Sequence, residues 1–443
     1  MIEITDEDID QIEIELNLSF DLPRREALKR FDDVQACPGS GKTTMVAAKL
    51  LLIAKEWTDS YQGICVLTHT NVAKNEILAR IQSHTDGYKL LAYPHFIGTI
   101  QEFVNKFLSV PLLRSVGIEV NQIDDELCCA MAEKWLSPGA RSYLRRNYVD
   151  SLQGLQYKFE INELKLTVPG FNRESTSPSY ENITSIKRQL IVKGYHFYHE
   201  MYEFANMALT VNSDLIESIG IRFPVVFVDE MQDAQRFQDE LLNNIFDTQN
   251  VCYQRFGDPD QAIYGDSQNG NETYNNQDLE KVVTSHRFTP SIAAIAKNLS
   301  INRIQLSSVV EDRLEHSNTI FLIDENTRQS VFSSFAYLCT DVIPEECNLP
   351  IKAVGAVGKY KENSLTICDY FSGYERSLST SSFRPDKLIH YFYRAKELSI
   401  ESNADSYALL LDAIVRCGRM ADIEFTYLDG GQNKCSKRSL KKH

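Results

Sequence analysis

VQACPGSGKTT, residues Val34–Thr44, runs from a short apolar strand into a glycine-rich turn and then into the apolar helical pattern Met45–Ile53. A turn of this kind leaves backbone N–H groups converging at a helix N-terminus, a concavity that suits a phosphate chain. Gly39 and Gly41 let the backbone approach phosphate with no side chain in the way. Lys42 is placed to reach the outer phosphates, and the Thr43 hydroxyl to ligate Mg²⁺. The pattern G-x-x-x-x-G-K-[ST] is met except at its first position, Ala36. The expected cradle is therefore Ala36, Pro38, Gly39, Ser40, Gly41, Lys42, Thr43 and Thr44. A chance glycine turn is the competing reading, and the strand before and helix after weigh against it.

The rest of the composition sets bounds. With 443 residues the chain exceeds one core and predicts two to four domains. A hydrophobic content of 43% and a charged content of 24% describe a globular protein. A net charge of −15 argues against a general wrapper of nucleic acid, though not against a narrow basic groove. The ten cysteines are scattered with no C-x-x-C pair, and the acidic start lacks a signal-peptide pattern. Reduced thiols in a cytoplasm are expected. No apolar run approaches the ~20 residues of a membrane span, so no membrane partner is expected.

Strand, loop and helix then recur. Gly63–Thr70 reads as a second buried strand, followed by a helix with Ala73, Ile77, Leu78 and Ile81 on one face. His95–Gly98 is a third strand, and Thr99 opens another helix. This rhythm predicts an α/β fold with a doubly wound parallel sheet. From about Val104 to Glu217 the pattern is mostly helical. The alternation returns at Phe223–Glu230 and Val251–Gly257. Beyond these, Thr319–Ile323 and Ile351–Val357 read as strands, and Gln329–Leu338, Lys387–Leu398 and Tyr407–Cys417 as helices. The last residues, GGQNKCSKRSLKKH, predict a disordered basic tail.

Asp229 and Glu230 end an apolar strand, where ligands of parallel sheets bind. One carboxylate can hold Mg²⁺, and the other can orient or deprotonate a water. Gln261 follows the next strand end with an amide that can sense a terminal phosphate. Arg287 can stabilise transition-state charge. Taken singly, Gln261 reads as a loop residue and Arg287 as a surface charge.

Their order decides otherwise. ACPGSGKTT, LTHTNVAKNEI with Arg80, GTIQEF, VDEMQD, GDPDQAIYG and SHRF follow one another as in the superfamily 1 DNA helicases of the UvrD/Rep/PcrA type, which the chain closely resembles over about residues 20–290. The resemblance implies a P-loop RecA-like motor domain split by a helical insertion. The expected parts are 1–104 and 216–290 for the motor, 105–215 for the insertion, 291–430 for a partial second motor domain and 431–443 for the tail. It also implies ATP and Mg²⁺ as cofactors and ATP-driven translocation on single-stranded or partially duplex DNA, 3′ to 5′. Lys42, Asp229, Glu230, Gln261 and Arg287 then carry catalysis, and Thr43 and Asp229 hold the metal. Thr70, Asn71, Thr99 and Tyr264 fall in segments that line the DNA groove.

Several positions depart from the family pattern. His69 stands where the family has a Phe that stacks on a base, and His286 where it has a Tyr that packs on adenine. The upstream glutamine motif is not clear, with Arg24 and Arg25 near its place. Two later motifs, a TxHxxKGLE-like and a YVAxTRA-like segment, are not found in the 156 residues after Arg287. A second reading follows, that of an ATP-binding, DNA-sensing subunit beside a nuclease or other protein. Short relatives such as the helicase-like subunit of Gabija anti-phage systems work in that way. A third reading, a P-loop kinase or GTPase, is disfavoured by the DExQD segment and the Arg287 element.

Overall fold

The computed structural model describes residues 3–149, 151–262, 279–300, 304–310, 318–343, 351–355, 357 and 365–374, and the short strands Glu424–Phe425 and Cys435–Ser436. It divides into two units, Met1–Asn318 and Thr319–His443.

The first unit is built on six parallel strands: β1 (Val34–Ala36), β2 (Ile64–Thr68), β3 (Phe96–Thr99), β4 (Val225–Asp229), β5 (Cys252–Gly257) and β6 (Glu280–Val282). Their order across the sheet is β6-β1-β5-β4-β2-β3. Thr68 is in register with both Asp229 and Thr99, so three strands end at one level. The strand carrying Asp229 lies one strand away from β1, with β5 between them.

Strand alternation explains the two cores. Ile64 and Val66 of β2 and Val225 and Phe227 of β4 face one side. There they meet helix α3 (Lys42–Glu56), almost wholly buried, together with α1 (Asp6–Leu16) and α2 (Leu22–Lys29). Cys65, Leu67, Val226 and Val228 face the other side and meet Phe103, Leu241, Leu242 and Phe246. Both faces are covered, which is why these strands read as continuous apolar runs.

The acidic N-terminal stretch, unassigned from sequence, is helix α1, capped by Thr5 in a capping box with Asp8. Its Ile9 and Ile12 are buried. Its carboxylates Asp10 and Glu13 pair with Arg25, and Asp6 pairs with Lys29.

Between β3 and β4 the chain is mainly helical, with its own clusters around Leu144, Leu155, Ile186 and Phe197 and around Leu113, Met201 and Phe204. Two strand pairs interrupt the mostly helical pattern. Tyr157–Glu160 and Glu163–Leu166 form an antiparallel hairpin, and Gln122–Ile123 pairs in parallel with Tyr195–His196. A buried ion pair, Lys187 to Glu200 at 2.6 Å, sits in this region with both side chains fully buried.

In the second unit, Arg328–Ser330 leads into the helix Val331–Val342, as the apolar spacing predicts. The strands expected at Thr319–Ile323 and Ile351–Val357 are not formed over their described residues. Ile320 and Leu322 are exposed, and an apolar run becomes a strand only where a neighbour satisfies its backbone. The helices expected at Lys387–Leu398 and Tyr407–Cys417 lie outside the described residues. So does the tail, apart from Cys435–Ser436, which pairs with Glu424–Phe425. Among the described residues no helix is long and apolar enough to cross a membrane.

Candidate functional site

Gly39 and Gly41 adopt φ of +75° and +82°, the left-handed region that glycine enters without cost. A β-carbon at Gly39 would also lie 2.4 Å from Ser285 Oγ and 2.5 Å from Arg287 Cβ. The turn between β1 and α3 is thus closed against the Ser285–Arg287 segment. The His286 N–H donates to the Gly39 carbonyl at 2.9 Å. Ala36 ends β1, fully buried, while Pro38 and Thr44 are half-buried and Ser40 is buried. Ala36 at the first motif position leaves the turn intact, since the residues that need positive φ are Gly39 and Gly41.

Lys42, only 7% exposed, donates to Glu230 Oε2 at 2.8 Å. Thr43 Oγ1 donates to Asp229 Oδ2 at 3.4 Å. Asp229 Oδ1 accepts from the Glu230 N–H at 2.9 Å. Glu230 itself has φ +55°, unusual for a residue with a side chain and costing about 1–3 kcal/mol. That backbone turn ends β4 and aims the Glu230 carboxylate back at Lys42.

From Glu230 the hydrogen bonds run on. Gln232 Nε2 donates to Glu230 Oε2 at 2.5 Å, and Gln232 Oε1 accepts from the Asp258 N–H at 2.9 Å. Gln261 Nε2 donates to Asp258 Oδ2 at 2.7 Å. Lys42, Glu230, Gln232, Asp258 and Gln261 form one connected polar network across the ends of β1, β4 and β5. Asp258 and Gln232 carry it, and sequence reading gave neither a role of its own. Their presence in the GDPDQ and DEMQD runs was the available signal.

The two adjacent carboxylates are driven apart in pKa. Burial, and then the neighbouring Glu230 charge, push Asp229 up to about 7. At Glu230 burial acts upward too, but the charge and hydrogen bond of Lys42, with Gln232 and Arg287, outweigh it and the net shift is down. The charge of Lys42 and the hydrogen bonds from Thr43 and the Glu230 N–H pull Asp229 down but do not offset burial, and a cation shared with Thr43 would favour its charged form. Thr43 and Asp229 fit Mg²⁺, which takes one or two protein oxygens and completes its shell from phosphate and water. Among the described residues no cluster of three or more His, Cys, Asp or Glu side chains competes as a metal site.

Arg287 and His286 are exposed beside the phosphate turn. Burial, and then the charge of Arg24, lower the pKa of His286. His69 is half-buried just past the end of β2, its pKa lowered by burial against the charge of Asp233. Thr70 and Asn71 are exposed at the start of the helix Asn71–Gln82, which Thr70 caps by accepting from the Ala73 N–H at 3.2 Å. Thr99 is 8% exposed, and its hydroxyl accepts from the Glu102 N–H at 3.1 Å. Both threonine hydroxyls are thus engaged as helix caps. Tyr264 lies outside the described residues.

The domain description "UvrD/REP helicase N-terminal domain" matches residues 28–280, more than half of the chain. The chain belongs to the UvrD/REP helicase family. The six-stranded parallel sheet is the RecA-like motor fold of that family. The matched span of this UvrD/REP-family chain takes in the phosphate turn, Asp229, Glu230 and Gln261 and stops before Arg287. The ATP-dependent DNA helicase srs2 of Schizosaccharomyces pombe is 24% identical to it over 263 residues, 53% of this chain and 28% of that protein. The similarity thus spans less than a third of the relative's length.

Proposed function

We propose that this chain is an ATP-hydrolysing motor that couples turnover to movement along single-stranded DNA, 3′ to 5′, and acts as a DNA helicase in the cytoplasm. The observation that carries the reading is the convergence of Lys42, Thr43, Asp229 and Glu230 at one sheet edge, joined to Gln261 by a continuous network.

In this reading the turn from Ala36 to Thr44 holds the phosphate chain of ATP, and Lys42 pairs with its outer phosphates. Thr43 and Asp229 hold Mg²⁺, which supplies charge neutralisation at the phosphates. Glu230 orients the attacking water and takes its proton. Gln261 senses the terminal phosphate, Arg287 meets the developing charge, and His286 packs on the base. The DNA strand passes over the ends of β2 and β3, against His69, Thr70, Asn71 and Thr99, and Tyr264 contacts it as well.

The test is the rate of ATP turnover with and without single-stranded DNA, with Lys42→Ala as control. Turnover that rises with DNA and vanishes in Lys42→Ala supports the motor. Turnover indifferent to DNA overturns it. DNA-stimulated turnover without strand separation on a partially duplex substrate points to the DNA-sensing subunit instead, and a nuclease or other protein partner is then to be sought.

A further inference from the structure

Arg24 is 2% exposed and distant in sequence from everything it binds except Asp21. Its Nε donates to the Ser40 carbonyl of the phosphate turn at 3.0 Å. Its Nη1 donates to Thr284 Oγ1 at 2.7 Å and to the Asp21 carboxylate, and its Nη2 to the Thr284 carbonyl at 2.6 Å. Thr284 Oγ1 in turn donates to Asp21 Oδ2 at 2.8 Å. One planar guanidinium thus joins α2, the phosphate turn and the strand Thr284–Ser285.

That strand leads directly to Arg287. The Arg287 N–H donates to Ser285 Oγ at 3.2 Å, and the Gly39 carbonyl accepts from the His286 N–H. Two successive carbonyls of the turn, Gly39 and Ser40, are therefore tied outward to residues 284–286, one directly and one through Arg24. Holding carbonyls outward leaves the turn's N–H groups facing the phosphates. It also fixes the backbone from which the Arg287 side chain springs.

We propose that Arg24 is a positioning residue for phosphate transfer, setting the register between the phosphate turn and Arg287. This rests on the reading of the site as an ATPase. It explains why a charged side chain is buried here at the cost of desolvation, with Asp21 as its counter-ion. A lysine cannot substitute, because a point charge on a flexible stem does not satisfy Ser40, Asp21 and both oxygens of Thr284 in one plane.

The experiment measures DNA-stimulated ATP turnover in Arg24→Lys, Thr284→Val, Arg287→Ala and the double variants combining each of the first two with Arg287→Ala. The expected result is a fall in kcat of about tenfold or more for Arg24→Lys, with KM for ATP changed less than about threefold. Thr284→Val, which keeps Arg24 and removes one hydroxyl, should fall in the same sense and guards against a folding failure of the arginine variant. If Arg24 acts through Arg287, adding either change to Arg287→Ala costs less than about twofold more. Arg24→Lys and Thr284→Val with wild-type kcat, or losses that multiply fully with Arg287→Ala, overturn the proposal. An unsubstituted chain that neither binds nor turns over ATP refutes the ATPase reading itself and is thereby distinguished.

Discussion

Lys42 Nζ and Glu230 Oε2 lie 2.8 Å apart although 188 residues separate them in the chain. The lysine that should meet phosphate is held by the carboxylate that should meet water. On the proposed reading, binding a phosphate chain draws the lysine to a new partner and frees the carboxylate to meet water. The two residues should therefore separate binding from chemistry. Lys42→Ala is expected to abolish ATP binding, read by a fluorescent nucleotide. Glu230→Gln is expected to keep binding within a few-fold and to lower turnover by about 10²–10⁴. Normal turnover in Glu230→Gln would remove Glu230 from the reaction.

Lys49, on the buried face of α3, offers a different test. Its ammonium donates to the Ala27 and Arg30 carbonyls and to Gln254 Oε1, and lies 4.1 Å from the Phe31 ring centre. Burial pushes its pKa down to about 7, against an ordinary value near 10.5. The folded pKa is below the unfolded one, so between them the unfolded chain binds more protons. Stability from this group is greatest at high pH and is lost as pH falls toward 7. Between pH 7 and 8.5 the wild-type chain should gain up to about 1 kcal/mol per pH unit from Lys49. Lys49→Met should flatten that slope in urea titrations. An unchanged slope would show that Lys49 stays charged in the fold.

The buried pair of Lys187 and Glu200 also makes a stability prediction. Glu200 further accepts from the Tyr157 N–H at 3.0 Å, so its carboxylate joins a helix, a hairpin and a lysine. Glu200→Ala leaves a buried cation and an unpaired backbone donor and should cost about 3–5 kcal/mol. Replacing both partners, Lys187→Met with Glu200→Leu, should cost markedly less than Glu200→Ala alone. Equal losses in single and double variants would place the energy in packing rather than in charge.

How far the fold could be read depended on how many partners each segment needed. The phosphate turn was legible because its requirements are local: glycines at positive φ, a lysine, a threonine, then a helix. β2 and β4 were legible because both faces are buried, which writes an unbroken apolar run. Asp229 and Glu230 were legible at such a strand end. Arg24 gained no role from sequence because its partners Ser40 and Thr284 lie 16 and 260 residues away. The apolar run at Thr319–Ile323 misled because nothing in an apolar run states whether a neighbouring strand exists. The role of α1 was hidden in the same way, since its acids make sense only beside Arg25 and Lys29.

The hairpin within the helical region escaped notice for a local reason, and that reason can be tested. YKFE and ELKL alternate, but the two residues between them are Ile161 and Asn162, not a glycine-bearing turn. Both have positive φ, 53° and 61°, the geometry of a two-residue turn that asparagine and glycine favour. Ile161 is 88% exposed, so its β-branched side chain has little packing to offset the strain of that backbone. Ile161→Asn with Asn162→Gly should therefore stabilise the hairpin by about 1 kcal/mol, read as slower amide exchange at the Lys158 and Lys165 pair that the ladder aligns. Both residues are exposed and take no part in the hydrogen bonds that join Lys42, Glu230 and Gln261, so ATP turnover should be unchanged. Faster exchange in the double variant would mean that Ile161 contributes packing that outweighs its strain.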